Sequence, residues 1–290
     1  MSFKILLIGP SGYIGSVLTK SLKKKFQLSC IVRRKSKIDT SSYKDLYFHD
    51  ELKNDEEFIK ILSKYDVLIN CYGYAHSSVN SKKDFFNLLE SNISFCKRIF
   101  RLASLSKLKK VIHLSSIKAM GEEGTFDINT VPRPISYYGR SKLISERILI
   151  NYFKKLKIKK MYNIIRLPLV LGKNKFRGYL KIIHYYLNLN LPFPIFKDTK
   201  YRSYILEKDL VKLIINIIEN KNIISGTILY QSFKLDFEGF IKKFSNINKK
   251  QPYFIYIPNF IKNLILKSLF KKIHSKIFSE NIIINNYKLN

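Results

Sequence analysis

The sequence predicts an α/β protein built on a doubly wound parallel sheet, followed by a smaller C-terminal domain. An apolar run ends in a glycine turn, short apolar runs alternate with longer helical periods as far as residue 172, and that alternation then fades. Phe3 to Ile8 reads as the first buried strand, and Tyr13 to Leu22 carries helical spacing directly after the glycines. Leu28 to Val32, Asp66 to Cys71, Lys110 to Ser115 and Tyr162 to Leu167 read as further strands. Helical stretches near Glu56 to Ser63, Lys83 to Leu105 and Ser136 to Leu156 separate them, which implies right-handed crossovers. Beyond Gly172, Pro192 and Pro194 interrupt, Lys208 to Glu219 reads as a helix and Thr227 to Gln231 as a strand. Leu235 to Phe244 and Pro258 to Phe270 read as further helices. We therefore expect one domain over 1–172, with a return segment near 200–231, and a second over 173–290, packed over the sheet's carboxyl edge.

Composition narrows the function classes. With 290 residues, 46% hydrophobic and 26% charged, the chain can bury a sizeable core, which excludes disorder as its main state. Its longest apolar stretches, such as Leu210 to Ile218, are broken by Lys212 and Asn216 and fall short of the roughly 20 residues a bilayer crossing needs. The opening run is cut by Gly9, Pro10, Ser11 and Gly12, which fits a strand entering a glycine loop and not a signal peptide. Cys30, Cys71 and Cys96 are far apart and form no CxxC pair, and the five histidines show no HxxxH or HExxH spacing. Neither a disulfide framework nor a metal site is expected, and a reducing cytoplasm fits best. The net charge of +32 comes mostly from lysines spread along the whole chain. Such an excess could serve nucleic acid, an anionic membrane surface or a phosphorylated substrate, but that pattern favours a solvated surface, since arginine would lead specific phosphate or base recognition.

The chemistry-bearing motifs fall where such a sheet would gather them. Gly9, Gly12 and Gly15 lie between the first strand and the first helix, where a dinucleotide pyrophosphate meets backbone N–H groups and a helix N-terminus. Ser11, Tyr13 and Ile14 belong to the same loop, and an ordinary strand-to-helix turn is the plainer alternative. The second strand runs into Arg33 and Arg34 in place of a carboxylate. Two guanidinium groups there favour the 2′-phosphate of NADP(H), with NAD(H) possible and unliganded loop arginines the alternative. Tyr138 and Lys142 stand four residues apart on one helical face, where the ammonium would lower the phenol's pKa towards working pH. YxxxK also occurs at Tyr204 and Tyr230, but only Tyr138 follows a strand ending in Ser115-Ser116. Ser116 would share a substrate oxygen with Tyr138, or simply cap the following turn.

On these residues the chain resembles the extended short-chain dehydrogenase/reductases, a Rossmann-fold family typified by UDP-glucose 4-epimerase. The likeness covers nearly the whole length. It rests on Gly9 to Gly15, Asn92, His113 to Glu122, Tyr138 to Lys142, Arg166 to Gly172, and Tyr201 to Ser203. The segments Ser115 to Glu122 and Tyr138 to Lys142 look most like a subgroup that reduces 4-keto-6-deoxy UDP-N-acetylhexosamines in surface-polysaccharide synthesis. By this matching Ser116, Tyr138 and Lys142 fall on catalytic positions and Asp50 on an adenine-contacting one. Lys142 also falls on the nicotinamide ribose, Arg202 on the substrate diphosphate and His76 near the sugar pocket. The resemblance implies an NAD(P)H-dependent nucleotide-sugar reductase, a homodimer, and a substrate-binding role for the C-terminal domain. The nearest rivals are a UDP-hexose 4-epimerase that retains NAD and a non-catalytic NAD(P)-binding regulator. Two departures stand out. Related 4,6-dehydratases carry an Asp-Glu pair where this chain has Ile117-Lys118, so dehydration lacks its acid and base, and Gly178 stands where relatives often place an asparagine.

Overall fold

The computed structural model describes residues 2–32, 43–74, 79, 81–155, 161–173, 179–196, 200–220, 222–258 and 282–285. The chain opens with β1 (Lys4–Ile8), α1 (Tyr13–Leu22), β2 (Gln27–Val32), β3 (Leu46–Phe48), α2 (Asp55–Leu62) and β4 (Val67–Asn70). Next come α3 (Lys82–Leu89), a π-helical turn at Glu90–Ser94, α4 (Phe95–Leu105), β5 (Lys110–Ser116), β6 (Gly124–Phe126), α5 (Tyr137–Lys155) and β7 (Met161–Leu167). The remainder comprises β8 (Leu169–Leu171), α6 (Tyr179–Asn188), β9 (Phe193–Phe196), β10 (Arg202–Leu206) and α7 (Glu207–Glu219). It ends with β11 (Gly226–Leu229), β12 (Phe233–Leu235), α8 (Phe237–Ile247), β13 (Phe254–Ile257) and β14 (Ile282–Ile284).

Seven strands form one sheet in the order β11-β7-β5-β4-β1-β2-β3. Every pairing in it is parallel, so the chain winds outward from β1 in both directions and leaves a crevice where β1 meets β4. The central strands are apolar on both sides because helices cover both faces. Ile5 and Leu7 join the cluster packed by α1 and α7, while Leu6 and Ile8 face Phe58, Ile99 and Phe100 of α2 and α4.

Local chemistry sets the boundaries. Asn54 caps α2 by accepting from the Glu56 and Glu57 N–H groups, and Ser81 caps α3 through the Asp84 N–H. Asp236 caps α8 through the Gly239 N–H, which is why the helix expected from Leu235 begins at Phe237 and Phe233–Leu235 is a strand instead. The expected alternation holds through β7. Beyond it, β10 pairs with β8, β12 and β14, and α6 and α8 pack with Phe193 and Tyr204 into a separate aromatic core. The helix expected from Pro258 falls, after its first residue, on chain outside the described residues.

Candidate active site

Two clefts open at the carboxyl edge of the sheet. The first, of about 170 Å³, is lined by Gly9, Ser11 and Gly12 of the glycine turn with Val32, His49 and Gly73. Gly9 adopts φ +82°, and a side chain there would meet the Tyr72 backbone at 3.0 Å. A Cβ on Gly15 would lie 2.1 Å from the Gly9 carbonyl oxygen, so only glycine lets α1 pack against the turn. Gly12 differs, because its nearest neighbour would be 3.5 Å away and the space beside it opens into the cleft. As N-cap of α1 it offers no side-chain acceptor, so the helix's first N–H groups remain for an anion, and no acidic residue occupies the first turn. These features fit a dinucleotide pyrophosphate.

The second cleft, of about 340 Å³, brings together Ser116, Lys118, Tyr138 and Arg202 with Tyr13 and Ile14. Tyr13 and Ile14, expected against the cofactor, line this second cleft and not the first. Ser116 ends β5, and its Oγ accepts the Lys118 N–H at 3.2 Å, so it does cap the following turn. That bond leaves its hydroxyl proton for the Tyr138 phenol. Tyr138 enters on the first turn of α5, where Ser136 Oγ accepts the Gly139 N–H at 3.1 Å. Gly139 itself packs against the Lys118 carbonyl, which seats the helix on the turn after β5.

Lys142 lines neither cleft. It is 5% exposed, and its ammonium donates to the Leu114 carbonyl at 2.7 Å. It reaches the first cleft only through Gly73, whose missing Cβ would stand 3.8 Å from Lys142 Nζ. Burial lowers its pKa, against the opposing pull of Cys96, Glu146 and Cys71. The expected lowering of the Tyr138 pKa by Lys142 is therefore corrected. Burial holds that phenol above its ordinary value, and the group that pulls it back is the Ser116 hydroxyl.

Asp50 also departs from expectation. It does not line the cleft; its carboxylate is exposed and meets His49 Nδ1 at 3.4 Å. His49 lines the cleft instead, its ring packed against Tyr72 and Phe95 in the turn that follows β3. Arg33, Arg34, His76 and Gly178 lie outside the described residues. Among the described residues no group of three or more His, Cys, Asp or Glu converges to hold a metal ion. No described helix is long and apolar enough to cross a membrane.

Sequence reasoning passed over two supporting contacts. Glu146 and Arg166 form an ion pair behind Ser115 and Lys142. The Glu207 carboxylate, at the start of α7, fills the hollow above Gly172 and accepts a hydrogen bond from Tyr13. The YxxxK spacing hints at Glu146, one turn further along α5. Nothing local marks Glu207.

A doubly wound parallel sheet with a glycine turn, and with Ser116 and Tyr138 lining one cleft at its carboxyl edge while Lys142 lies buried beside Gly73, defines an enzyme scaffold of the extended short-chain dehydrogenase/reductase type. The chain belongs to the NAD dependent epimerase/dehydratase family, which matches residues 5–229. It is 29% identical to a dTDP-D-glucose 4,6-dehydratase from Dictyostelium discoideum over 181 residues, 53% of this chain and 41% of that protein. It is 28% identical to the UDP-glucose 4-epimerase of Vibrio cholerae over 231 residues, 76% of this chain and 68% of that one. The chain thus spans less than half of the dehydratase. In fold it is similar to a UDP-glucuronic acid 4-epimerase from Bacillus cereus solved with UDP-glucuronic acid and NAD. That likeness has a TM-score of 0.69 at 23% identity, over 88% of this chain and 86% of that one.

Proposed function

We propose that the protein moves hydride between a nicotinamide dinucleotide and C4 of a nucleotide-linked sugar, reducing the C4 ketone of a UDP-linked 6-deoxy hexosamine in surface-polysaccharide synthesis. The observation that carries this reading is the cleft shared by Ser116, Tyr138 and Arg202, adjoining the glycine-lined cleft. Both curated relatives named above are enzymes of nucleotide-linked sugars.

The dinucleotide supplies hydride when bound. Gly9, Ser11, Gly12 and the α1 N-terminus hold its pyrophosphate, and Arg33 with Arg34 favours NADP(H) over NAD(H). Tyr138, kept neutral by burial, gives its phenolic proton to the sugar oxygen. Ser116, already accepting from the Lys118 N–H, keeps its proton and donates a hydrogen bond to that oxygen, fixing its position. Lys142 places a cation behind this pair and beside Gly73, from where it would hold the ribose hydroxyls of a bound dinucleotide. Arg202 grips the substrate diphosphate, and that remote binding energy holds C4 in place. Ile117 and Lys118 leave the site without the carboxylates that a dehydration needs. On this reading the protein works in the cytoplasm as a homodimer paired through α4 and α5.

A second reading, a 4-epimerase that retains NAD and uses the same residues, is favoured by the Vibrio cholerae relative. NADPH oxidation measured against a panel of 4-keto nucleotide sugars tests both. Turnover with a 4-keto UDP-hexosamine is expected. Tightly held NAD, with interconversion of UDP-hexoses in the absence of added cofactor, would reject the reductase.

A further inference from the structure

The helix that carries Tyr138 starts on half a capping box. Ser136 stands directly before α5, and its Oγ accepts the Gly139 N–H at 3.1 Å. The other half of such a box is an acid or amide at the position of Gly139, reaching back to the Ser136 N–H. Gly139 has no side chain to do so, and none could be added, because a Cβ there would run into the Lys118 carbonyl oxygen. The close seat of α5 on the turn after β5 thus removes the local partner of the Ser136 N–H.

Glu122 supplies that partner from the other segment. One carboxylate oxygen accepts the Ser136 N–H at 3.0 Å and the other the Ile135 N–H at 2.8 Å. Glu122 belongs to the turn that Ser116 opens. There the Ser116 Oγ accepts the Lys118 N–H at 3.2 Å, the Ile117 carbonyl accepts the Met120 N–H at 2.8 Å, and the Lys118 ammonium donates to the Glu122 carbonyl at 3.5 Å. The returning chain is held alongside by the Arg133 N–H, which donates to the Met120 carbonyl at 2.7 Å. Ile117 and Met120 anchor the turn from below in a buried cluster with Phe126. Burial alone would raise the pKa of the half-buried Glu122 carboxyl. The Ser136 side chain, the two backbone N–H groups and the Lys118 ammonium together hold it below its ordinary value, so both oxygens are acceptors at neutral pH.

We propose that Glu122 is a positioning residue, its carboxylate clamping the start of α5 to the turn after β5 and so keeping the Tyr138 phenol within reach of the Ser116 hydroxyl. Glu122 lines neither cleft and acts only through Tyr138. Its effect on turnover rests on the C4-reduction reading, whereas its effect on the phenol does not.

The test uses the full chain carrying Glu122→Ala, which removes both acceptors, or Glu122→Gln, which keeps the shape and one acceptor. Asn54→Ala is the comparison, because Asn54 also accepts two backbone N–H groups at a helix start and lines neither cleft. The first readout is ultraviolet titration of Tyr138, referred to Tyr138→Phe, with and without Ser116→Ala. In the wild type and in Asn54→Ala, Ser116→Ala is expected to move phenolate formation to higher pH. Most of that shift should be absent in Glu122→Ala and part of it in Glu122→Gln, which carries the measurement should Glu122→Ala not fold. The second readout is NADPH oxidation with a 4-keto UDP-hexosamine, where kcat should fall roughly tenfold or more in Glu122→Ala while NADPH affinity is kept. Asn54→Ala should turn over like the wild type even where it melts as early. An undiminished Ser116→Ala shift in both Glu122 variants would overturn the proposal, as would the lack of any such shift in the wild type. Equal effects in Asn54→Ala would also overturn it, making Glu122 a helix cap like any other. A wild type that oxidises no NADPH would reject the reductase reading alone, and the titration would still decide the role of Glu122.

Discussion

Arg166 on β7 holds Glu146 on α5 in a bidentate ion pair, with Nη2 2.7 Å from one carboxylate oxygen and Nε 3.1 Å from both. Glu146 stands one helical turn beyond Lys142 and also accepts the Ser115 hydroxyl. The pair therefore ties the helix of Tyr138 and Lys142 to the strand end of Ser116. The two side chains are 9% and 1% exposed, so water cannot replace a lost partner. Arg166→Met strands a buried carboxylate and is expected to cost about 3–5 kcal/mol, whereas pairing it with Glu146→Leu restores most of that loss. Denaturant unfolding of the two variants checks this, and equal losses would contradict it.

The glycines of the first turn divide their work, and substitution should separate it. Gly15→Ala forces a methyl group to within 2.1 Å of a backbone oxygen, so the variant is expected to lose stability and cofactor binding together. Gly12→Ala meets nothing closer than 3.5 Å and should melt like the wild type. On the proposed reading its methyl group would stand in the path of the pyrophosphate, and NAD(P)H binding is expected to weaken by roughly tenfold or more. Calorimetric titration beside a thermal melt resolves the two; a Gly12→Ala protein with unchanged affinity would remove the pyrophosphate from this turn.

Gly172 and Glu207 should be coupled in stability. The carboxylate carbon of Glu207 lies 1.9 Å from where a Cβ on Gly172 would stand. Gly172→Ala is accordingly expected to destabilise by about 1–3 kcal/mol, and Glu207→Ala in the same chain to relieve most of it. A double-mutant cycle by chemical denaturation measures the coupling. Simple additivity would mean that the carboxylate does not occupy that hollow.

Ser116 should tune the ionisation of Tyr138. Burial holds the phenol above its ordinary 10.0 and the Ser116 hydroxyl draws it part of the way back. In the proposed reduction the neutral phenol is the proton donor, so the reductive form is present below the folded pKa and is lost as pH rises through it. The Tyr138 limb therefore lies on the alkaline side. Ser116→Ala removes the lowering influence and is expected to move phenolate formation to higher pH, read by ultraviolet titration against Tyr138→Phe. A shift to lower pH would reverse the sign of the interaction.

What could be read from the sequence was what is encoded locally. The glycine turn, the apolar strands β1, β2, β4, β5 and β7 and the start of α5 follow from periodicity and capping, each within a window of a few residues. The three-residue strands β3, β6, β8, β12 and β14 exist only through partners elsewhere, as when Ile282 pairs with both Gly124 and Arg202. No local pattern announces them. The site divides the same way. Ser116, Tyr138 and Arg202 line one cleft, but the Lys142 ammonium turns to the Leu114 carbonyl, and the other cleft is lined by His49 and not by Asp50. Those orientations depend on packing against Gly73, Tyr72 and Phe95, which residue spacing does not specify.

Single-turnover transfer of deuterium from C4-labelled NADPH to a 4-keto UDP-hexosamine, compared between the wild type and Tyr138→Phe, examines the proton-and-hydride role directly. The wild type should place deuterium at C4 of the sugar. Tyr138→Phe should bind NADPH as tightly and transfer roughly a hundredfold more slowly or worse. Transfer at the wild-type rate by Tyr138→Phe, or no deuterium in the sugar from the wild type, would contradict the assignment of Tyr138 as proton donor in a C4 reduction.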